Sequence, residues 1–297
     1  MKKISKKIVF FGTDSFSLET LKSLIDAKYE ICAVVTKPDS KSGRGQKITM
    51  PIVKKLAIAH KIPVWQPIKL SEVYEKLKRL GSDTTGILVS YGKIIPESII
   101  DLLEHNIINV HPSLLPIYRG PTPIESAIAN GDTETGVSIM QISKSMDAGP
   151  IYSQIVYKLN GSETQPELYK ILAKIGAKHL VDILPTILSG NMSPKQQDNN
   201  KASYCAMLDK QDAFFNLTNI TSFAAERLIR AHLDFPKTKL NILGKTVMIT
   251  KAHVADEEQS PIDILCIDNK YLSIDELIAP SGKTMNVKDF INGYKLI

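Results

Sequence analysis

Asn109 and His111 are the residues whose types and spacing point most directly to chemistry. They lie two positions apart at the end of a predicted strand, where alternation places both side chains on one face. Ligands of open α/β sheets bind beyond the carboxyl ends of the strands, so an amide and an imidazole projecting there could hold an oxyanion. A histidine at a strand end is more often structural, and this pattern alone leaves both interpretations open.

Asp147 supplies a carboxylate in the turn 145–149, which ends at Gly149. If it pairs with His111, it would favour the protonated imidazole. The segment that follows His111 is constrained by Pro112, Pro116 and Gly120. Such residues fix the backbone where main-chain groups line a site, although they are also consistent with a rigid turn.

Positive charge is concentrated in one stretch. Between Lys37 and Lys61 the sequence has seven Lys or Arg residues and one acidic residue, Asp39. Residues 1–204 carry 26 Lys or Arg and 19 Asp or Glu, whereas residues 205–297 carry 11 and 12. A cationic patch at one end of a domain can bind the phosphates of a polyanion; the alternative is a solvated lysine-rich face.

Strands and helices alternate around these residues. Helical spacing predicts helices at 15–26, 52–60, 96–104, 122–130 and 166–188. Apolar runs predict strands at 7–12, 31–36, 64–65, 86–90, 107–111, 136–142 and 151–157. This order predicts an α/β fold with a doubly wound, mostly parallel sheet. Residues 37–49, with Pro and Gly but few apolar side chains, are predicted to form an exposed loop.

The pattern changes after residue 188. The polar stretch 189–204 indicates a linker. A helix at 220–232 and short strands at 245–252, 262–267 and 271–273 then indicate a small β-rich domain of barrel type. The predicted domains are therefore residues 1–188 and residues 205–297.

Composition excludes several classes of protein. Hydrophobic residues make up 43% and charged residues 23%, as in globular proteins. No run of 18 apolar residues indicates a membrane span, and the basic start lacks the apolar core of a signal peptide. Cys32, Cys205 and Cys266 are far apart and have no CxxC spacing, so we expect no disulfide, no metal site and a cytoplasmic location.

Three spaced elements carry a family resemblance. They are the segment 109–116 with sequence NVHPSLLP, then Tyr118-Arg119-Gly120, and later Asp147-Ala148-Gly149. Together they resemble the signature of folate-dependent formyltransferases. That resemblance implies a Rossmann-like catalytic domain at 1–188 and use of 10-formyltetrahydrofolate as the formyl donor.

Other segments narrow the resemblance to the methionyl-tRNA formyltransferases. The run 11–16 resembles the opening strand and turn of that family, and residues 36–39 with 43–47 resemble its acceptor-stem loop. The resemblance implies formylation of initiator methionyl-tRNA by a monomer, with the C-terminal domain an RNA-binding barrel of the oligonucleotide-binding (OB) type. It also implies that Arg44 is the main cation of the loop, because a planar guanidinium suits phosphates and base edges.

The resemblance also implies roles for individual residues. The catalytic residues would be Asn109, His111 and Asp147. The folate-binding residues would be Leu88, Tyr91, Gly92, Ile94, Ser113, Leu114, Leu115 and Pro116, and the tRNA-binding residues would be Arg44, Lys37, Lys41 and Lys47.

The second domain departs from the family pattern, since residues 212–216 replace an acidic, Trp-bearing stretch and the domain is not basic. Three alternative functions are disfavoured by the sequence. An amino-sugar nucleotide N-formyltransferase would use the same donor, but the Arg44 loop argues against it. A dinucleotide-dependent oxidoreductase is disfavoured because Gly12 has no G-x-G-x-x-G around it. A non-catalytic RNA-binding protein is disfavoured by the joint presence of Asn109, His111 and Asp147.

Overall fold

The computed structural model describes residues 7–42, 45, 47–103, 107–214, 216–242 and 244–294. The chain divides into two compact units. The first contains the residues up to Arg119 together with Gly136–Tyr157 and Lys170–Tyr204. The second contains Gly120–Thr135, Lys158–Tyr169 and the residues from Cys205 onward.

The main sheet is built from strands in the first two thirds of the chain, which has nine described strands there. In chain order they are β1 (Lys7–Gly12), β2 (Glu30–Val35), β3 (Ser40–Ser42), β4 (Lys47–Thr49), β5 (Val64–Trp65), β6 (Thr85–Val89), β7 (Ile107–His111), β8 (Glu134–Gln141) and β9 (Ile151–Lys158). Seven of these described strands form one sheet in the order β5-β2-β1-β6-β7-β8-β9. The pairings from β5 to β7 are parallel, and β7 pairs with β8 antiparallel. The predicted α/β class with a mostly parallel sheet is confirmed.

Helices connect these strands. They are α1 (Ser15–Asp26), α2 (Ile52–Ala59), α3 (Tyr74–Leu80), α4 (Glu97–Ile100), α5 (Pro123–Asn130) and α6 (Gln165–Leu188). Helix α1 begins where the sequence predicts, because the Asp14 carboxylate accepts hydrogen bonds from the backbone N–H groups of Phe16 (3.1 Å) and Ser17 (3.2 Å). A 3-10 turn at Leu70–Val73 leads into α3, and neither element is predicted from the sequence.

Apolar strands form the core of the first unit. Val9 and Phe11 of β1 pack with Val35 of β2 and Ile107 of β7 in one buried cluster. All five residues of β7 are buried, and the strand has hydrogen-bonded neighbours on both sides. The strand that carries Asn109 and His111 is therefore held in place along its whole length.

The second unit contains an antiparallel half-barrel. Its strands and C-terminal helices are α7 (Ser222–Ala231), β10 (Lys239–Ile242), β11 (Lys245–Ala255), β12 (Ile264–Leu265), β13 (Tyr271–Ile278), β14 (Thr284–Asn286) and α8 (Val287–Tyr294). The described strands pair in the order β10-β11-β13-β12, with β14 also paired to β13. Side chains of α7 and α8 complete its core, including Ile229 and Phe290. The predicted small β-rich domain is confirmed.

Some predicted elements differ from the structure. The stretch 37–49 was expected to be a loop, yet β3 and β4 pair as an antiparallel hairpin with Ser40 opposite Thr49. The prediction missed the hairpin because β4 is exposed and has no apolar alternation. It also missed β10, β14 and α8. No helix among the described residues is long and apolar enough to cross a membrane.

Candidate active site

Strand β7 places Asn109 and His111 next to each other on one side of the sheet. Asn109 pairs in register with Leu88 of β6 and Met140 of β8, and His111 pairs with Ser138. Their side chains project in the same direction because they are two positions apart. Asn109 is 6% exposed and His111 is 5% exposed. Both polar side chains therefore lie in a mostly dry environment.

The His111 ring has a different neighbour at each nitrogen. Nε2 lies 3.0 Å from the carbonyl oxygen of Tyr118, and Nδ1 lies 3.7 Å from Oδ2 of Asp147. A carbonyl oxygen can only accept a hydrogen bond, so Nε2 carries the hydrogen in this arrangement. Protonation of the ring then occurs at Nδ1, on the side that faces the carboxylate. The structure thus brings His111 and Asp147 together.

Backbone conformation sets the position of Asp147 in the loop between β8 and β9. Asp147 has a φ of +48°, a left-handed conformation that is uncommon for a residue with a side chain. Two positions later, a Cβ at Gly149 would clash with the carbonyl oxygen of Gln141. Only glycine fits there, which gives a physical reason for the Asp147-Ala148-Gly149 sequence.

The side-chain amide of Asn109 is available for a ligand. Within the described part of the chain, no hydrogen bond of this amide is found. The amide atoms of Asn109 are not among the fully buried, unpartnered polar atoms, so they keep access to solvent and to a ligand. Asn109 and the ring of His111 can therefore both present donors to one oxygen atom.

The predicted folate-binding residues at the end of β6 have two kinds of environment. Tyr91 is 1% exposed and its ring packs edge-on against Phe11, with centroids 5.9 Å apart. Burial raises the pKa of the Tyr91 hydroxyl to about 12. The Tyr91 side chain is therefore not accessible to a ligand. Ile94, by contrast, is exposed, and Leu88 is partly buried.

The loop at residues 90–92 is tied to the loop after β1. The carbonyl oxygen of Tyr91 accepts a hydrogen bond from Thr13 Oγ1 (3.1 Å), and the Ser90 hydroxyl donates to the Asp14 carboxylate. Asp14 also caps helix α1. Its contact with Ser90 joins the ends of β1 and β6, which no local pattern shows.

The segment after β7 alternates between buried and partly exposed residues. Ser113 and Leu115 are buried, whereas Leu114 and Pro116 are partly exposed. Ser113 Oγ donates to the carbonyl of Ile117 (2.6 Å), and the Leu115 N–H donates to Ser138 Oγ (3.0 Å). Ser113 and Leu115 thus stabilise the loop, and Leu114 and Pro116 are its accessible members.

The strands β3 and β4 form the hairpin of the cationic stretch, called the cationic hairpin below. Asp39 anchors its base. The Asp39 carboxylate accepts hydrogen bonds from Lys54 Nζ (2.7 and 2.8 Å) and from Gln66 Nε2 (2.8 Å). These bonds, that of Lys54 first, lower the pKa of Asp39 below its ordinary value. Asp39, the acidic residue in the cationic stretch, therefore anchors the start of the hairpin.

The predicted tRNA-binding residues lie in different environments. Lys41 and Lys47 are exposed on β3 and β4. Lys37 instead lies against Gly92, where an added Cβ would clash with the Lys37 ammonium group. A groove of about 440 Å³ is lined by residues that include Lys37, Asp39, Met50 and Lys93. Arg44 lies outside the described residues.

Three residues near the site had no clear functional signal in the sequence. They are Tyr118, whose main-chain oxygen holds His111, the buried Arg119, and Gln197, which bonds the Asp147 loop. Tyr118 and Arg119 were noted only within the family signature. Among the described residues, no cluster of three or more His, Cys, Asp or Glu side chains could hold a metal ion.

Known proteins match this chain along most of its length. Residues 6–184 match the family described as formyl transferase, and residues 207–295 match the formyl transferase C-terminal domain. The methionyl-tRNA formyltransferase of Lactobacillus delbrueckii subsp. bulgaricus is 37% identical, over 96% of this chain and 94% of that protein. The enzyme of the same name from Sulfurihydrogenibium sp. is 35% identical, over 98% and 97%.

Solved structures show the same fold at lower identity. An N-formyltransferase from Helicobacter canadensis, in complex with folinic acid and dTDP-3-aminofucose, matches with a TM-score of 0.69 and 22% identity. The match covers 91% of this chain and 98% of that one. At this identity the likeness establishes the fold alone.

Proposed function

The chain belongs to the formyl transferase family, and from that premise we propose that it transfers the formyl group of 10-formyltetrahydrofolate to the free amino group of methionyl-initiator-tRNA, for the initiation of translation. Similarity to methionyl-tRNA formyltransferases over nearly the whole chain supports this acceptor. The observation that carries the proposal is the ring of His111, held between the Tyr118 carbonyl and the Asp147 carboxylate on the strand that presents Asn109.

The reaction exchanges one carbon–nitrogen bond for another. The amino nitrogen of the methionyl group forms a bond to the formyl carbon, and the bond from that carbon to the folate nitrogen breaks. The proton that the amine loses is balanced by the proton that the folate nitrogen gains. Between these steps the formyl oxygen carries negative charge, so donors aimed at that oxygen accelerate the reaction.

Asn109 and His111 are the proposed donors. Nε2–H of His111 is bonded to the Tyr118 carbonyl, so Nδ1–H of the protonated ring is the donor that remains for the oxygen. The Asn109 amide supplies a second donor from the same face of β7. Each donor would stabilise the charged state by about 3–4 kcal/mol, the usual loss when one such donor is removed.

Asp147 is proposed to act on both the ring and the amine. At 3.7 Å from Nδ1 its carboxylate is too distant for a hydrogen bond, and it stabilises the protonated ring as a nearby negative charge. Through a water molecule it also assists removal of the amine proton. This scheme requires neither a metal ion nor a covalent enzyme intermediate.

The donor is proposed to bind along the ends of β6 and β7. Its pterin would contact the loop from Leu88 to Ile94 and the turn before Asp147. The main chain at Gly92 is suited to this, because Gly92 is exposed and has a φ of +69°. On the other side, the loop 113–116 would contribute through its partly exposed members, Leu114 and Pro116.

The cationic hairpin is proposed to bind the tRNA. Lys41 and Lys47 lie exposed on its two strands, and Arg44 lies between them in the sequence. Their charges would attract the phosphates of the acceptor end, and the guanidinium of Arg44 would make the most specific contact. Lys37, at the base and next to Gly92, would face the junction of donor and acceptor. A monomer acting in the cytoplasm completes the proposal.

Incubation with charged initiator tRNA and 10-formyltetrahydrofolate tests the proposal. We expect formylmethionine after mild hydrolysis of the tRNA, detected by mass spectrometry. A parallel reaction should contain an amino-sugar nucleotide in place of the tRNA. Formylation of the sugar without formylation of methionine would replace this proposal with the sugar-modifying alternative.

A further inference from the structure

Residues 195–204 run from one loop of the site to another. At one end, Lys195 exchanges two backbone hydrogen bonds with Ile151, both 2.8 Å. At the other end, the Ser203 carbonyl accepts from the Arg119 N–H (2.9 Å), and the Ser203 N–H donates to the Pro116 carbonyl (3.2 Å). This bridging segment therefore contacts both the strand that follows Asp147 and the loop that follows His111.

Gln197 belongs to the bridging segment, and every hydrogen-bonding position of its side-chain amide is used. Its Nε2 donates to the backbone carbonyls of Asp147 (2.8 Å) and Gly149 (2.7 Å). Its Oε1 accepts from Nε (3.0 Å) and Nη2 (2.7 Å) of Arg119. Both donor hydrogens and both acceptor lone pairs are occupied, so the orientation of the amide is fixed.

Arg119 is fixed in turn by several partners. It is 2% exposed, and besides Gln197 it donates to Asn199 Oδ1 (2.8 Å) and to the Tyr204 hydroxyl (3.2 Å). A buried guanidinium needs such acceptors because its charge is otherwise costly. The position of the Gln197 amide is therefore set by a rigid group, and the amide sets the position of the Asp147 backbone.

The same segment reaches His111 by a second route. The Ser203 hydroxyl accepts a hydrogen bond from the Tyr118 N–H (2.9 Å), and the Tyr118 carbonyl accepts from Nε2 of His111. Tyr118 has a φ of +57°, so this peptide is held in an uncommon conformation. Both His111 and Asp147 thus depend on contacts from residues 195–204.

We propose that Gln197 is a positioning residue of the active site, which holds the Asp147 carboxylate at the correct place relative to His111. The inference rests on the proposed function, since it assigns Gln197 a part in that reaction. Misplacement of a reacting group by about 1 Å can lower a rate by about 10²-fold, so a side chain that never touches substrate can affect turnover strongly.

Gln197→Glu is the most informative variant because it keeps the size of the side chain. The new carboxylate still accepts from Arg119 and gains a charge-assisted contact with it, so the fold should be retained. It cannot donate to the carbonyls of Asp147 and Gly149, and it repels their oxygens. We expect kcat to fall about 10²-fold, with the KM values for both substrates and the thermal unfolding midpoint nearly unchanged.

Gln196→Glu is the matched control. The exposed neighbour receives the same substitution and the same charge, and we expect wild-type kcat. The decisive measurement is a double-mutant cycle with Asp147→Asn. If Gln197 acts through Asp147, Gln197→Glu should lower kcat less than about twofold when Asp147 is already Asn. An undiminished loss in that background would overturn the proposal.

A readout without substrate separates this inference from the proposed function. In protein labelled with ¹⁵N-histidine, the ring signals of His111 should shift in Gln197→Glu and stay in place in Gln196→Glu. If the wild type does not formylate methionyl-tRNA but these signals shift, the proposed function fails and the positioning role stands. If the wild type is active and Gln197→Glu keeps full kcat and unshifted signals, the positioning role alone fails.

Discussion

Two histidine–aspartate pairs lie in different regions of this molecule. They have the same side-chain types but differ in distance and in exposure to solvent. His253 on β11 lies with Nδ1 2.9 Å from Oδ1 of Asp275 on β13, and its Nε2 lies 3.2 Å from Gln259. His111 and Asp147 are 3.7 Å apart. The closer pair is partly exposed, with side chains 44% and 34% accessible, and the wider pair is largely buried, at 6% and 19%.

Distance alone therefore does not identify the reactive pair. The charges of His253 and Asp275 are screened by solvent, and such surface pairs contribute about 0–1 kcal/mol to stability. Around His111 the polarity is lower, so charge on Asp147 acts more strongly on the ring. His111 also lies at the carboxyl end of a strand, beside the free amide of Asn109. Three features therefore distinguish the site: the His111 ring is buried, it lies at the end of a strand, and the Asn109 amide is a neighbouring donor.

The largest expected effect comes from removing the buried pair. Asp147→Asn keeps the shape of the side chain but removes its charge, and His111→Ala removes the ring. We expect each to lower kcat by about 10³-fold or more, while tRNA binding in a gel-shift assay stays nearly unchanged. Full activity in either variant would remove the proposed catalytic role.

A smaller loss is expected when one donor is removed and the pair is kept. Asn109→Ala should lower the single-turnover rate at saturating donor about 10²-fold, because His111 still supplies the second hydrogen bond. Measured KM values should change little. A raised KM at unchanged kcat would instead mean that Asn109 contributes to ground-state binding.

The cationic hairpin should affect acceptor use and not chemistry. Arg44→Leu is expected to raise the KM for tRNA about tenfold and to reduce the slope of log affinity against log salt by about 1. Affinity for the folate donor should not change. Arg79→Leu, the same substitution at an exposed position of α3, is the control. A collapse of folate affinity with normal tRNA use would show that the hairpin was assigned wrongly.

The smallest effect is expected at the exposed pair. Asp275→Asn should lower the free energy of unfolding by no more than about 1 kcal/mol in urea titrations and leave kcat unchanged. Turnover reduced as strongly as in Asp147→Asn would contradict the distinction between the two pairs. That outcome would connect the second unit with catalysis.

Much of the first unit was predictable because its signals are local. The apolar runs of β1, β6 and β7 and the cap at Asp14 identify buried strands and a helix start. Period-two alternation was enough to place Asn109 and His111 on one face. Short or exposed elements such as β4 and β14 were missed, since they have too few buried positions for a pattern.

The support of the site was not predictable from local pattern. Gln197 lies 50 positions from Asp147 in the sequence and sits in a polar stretch that resembles a linker. The acceptor for His111 is a main-chain atom, which every residue type possesses. Neither contact changes the composition or periodicity of the chain near the site, so only three-dimensional proximity reveals them.

The Tyr118 carbonyl has a consequence for mutational robustness. Because the acceptor belongs to the backbone, a substitution at position 118 that keeps the local backbone conformation cannot delete it. The position of this carbonyl depends instead on the residues that orient the peptide. The chief one is Ser203, whose hydroxyl accepts a hydrogen bond from the Tyr118 N–H. A screen for inactivating mutations should therefore find them at position 203 more often than the distance of that residue along the chain would suggest.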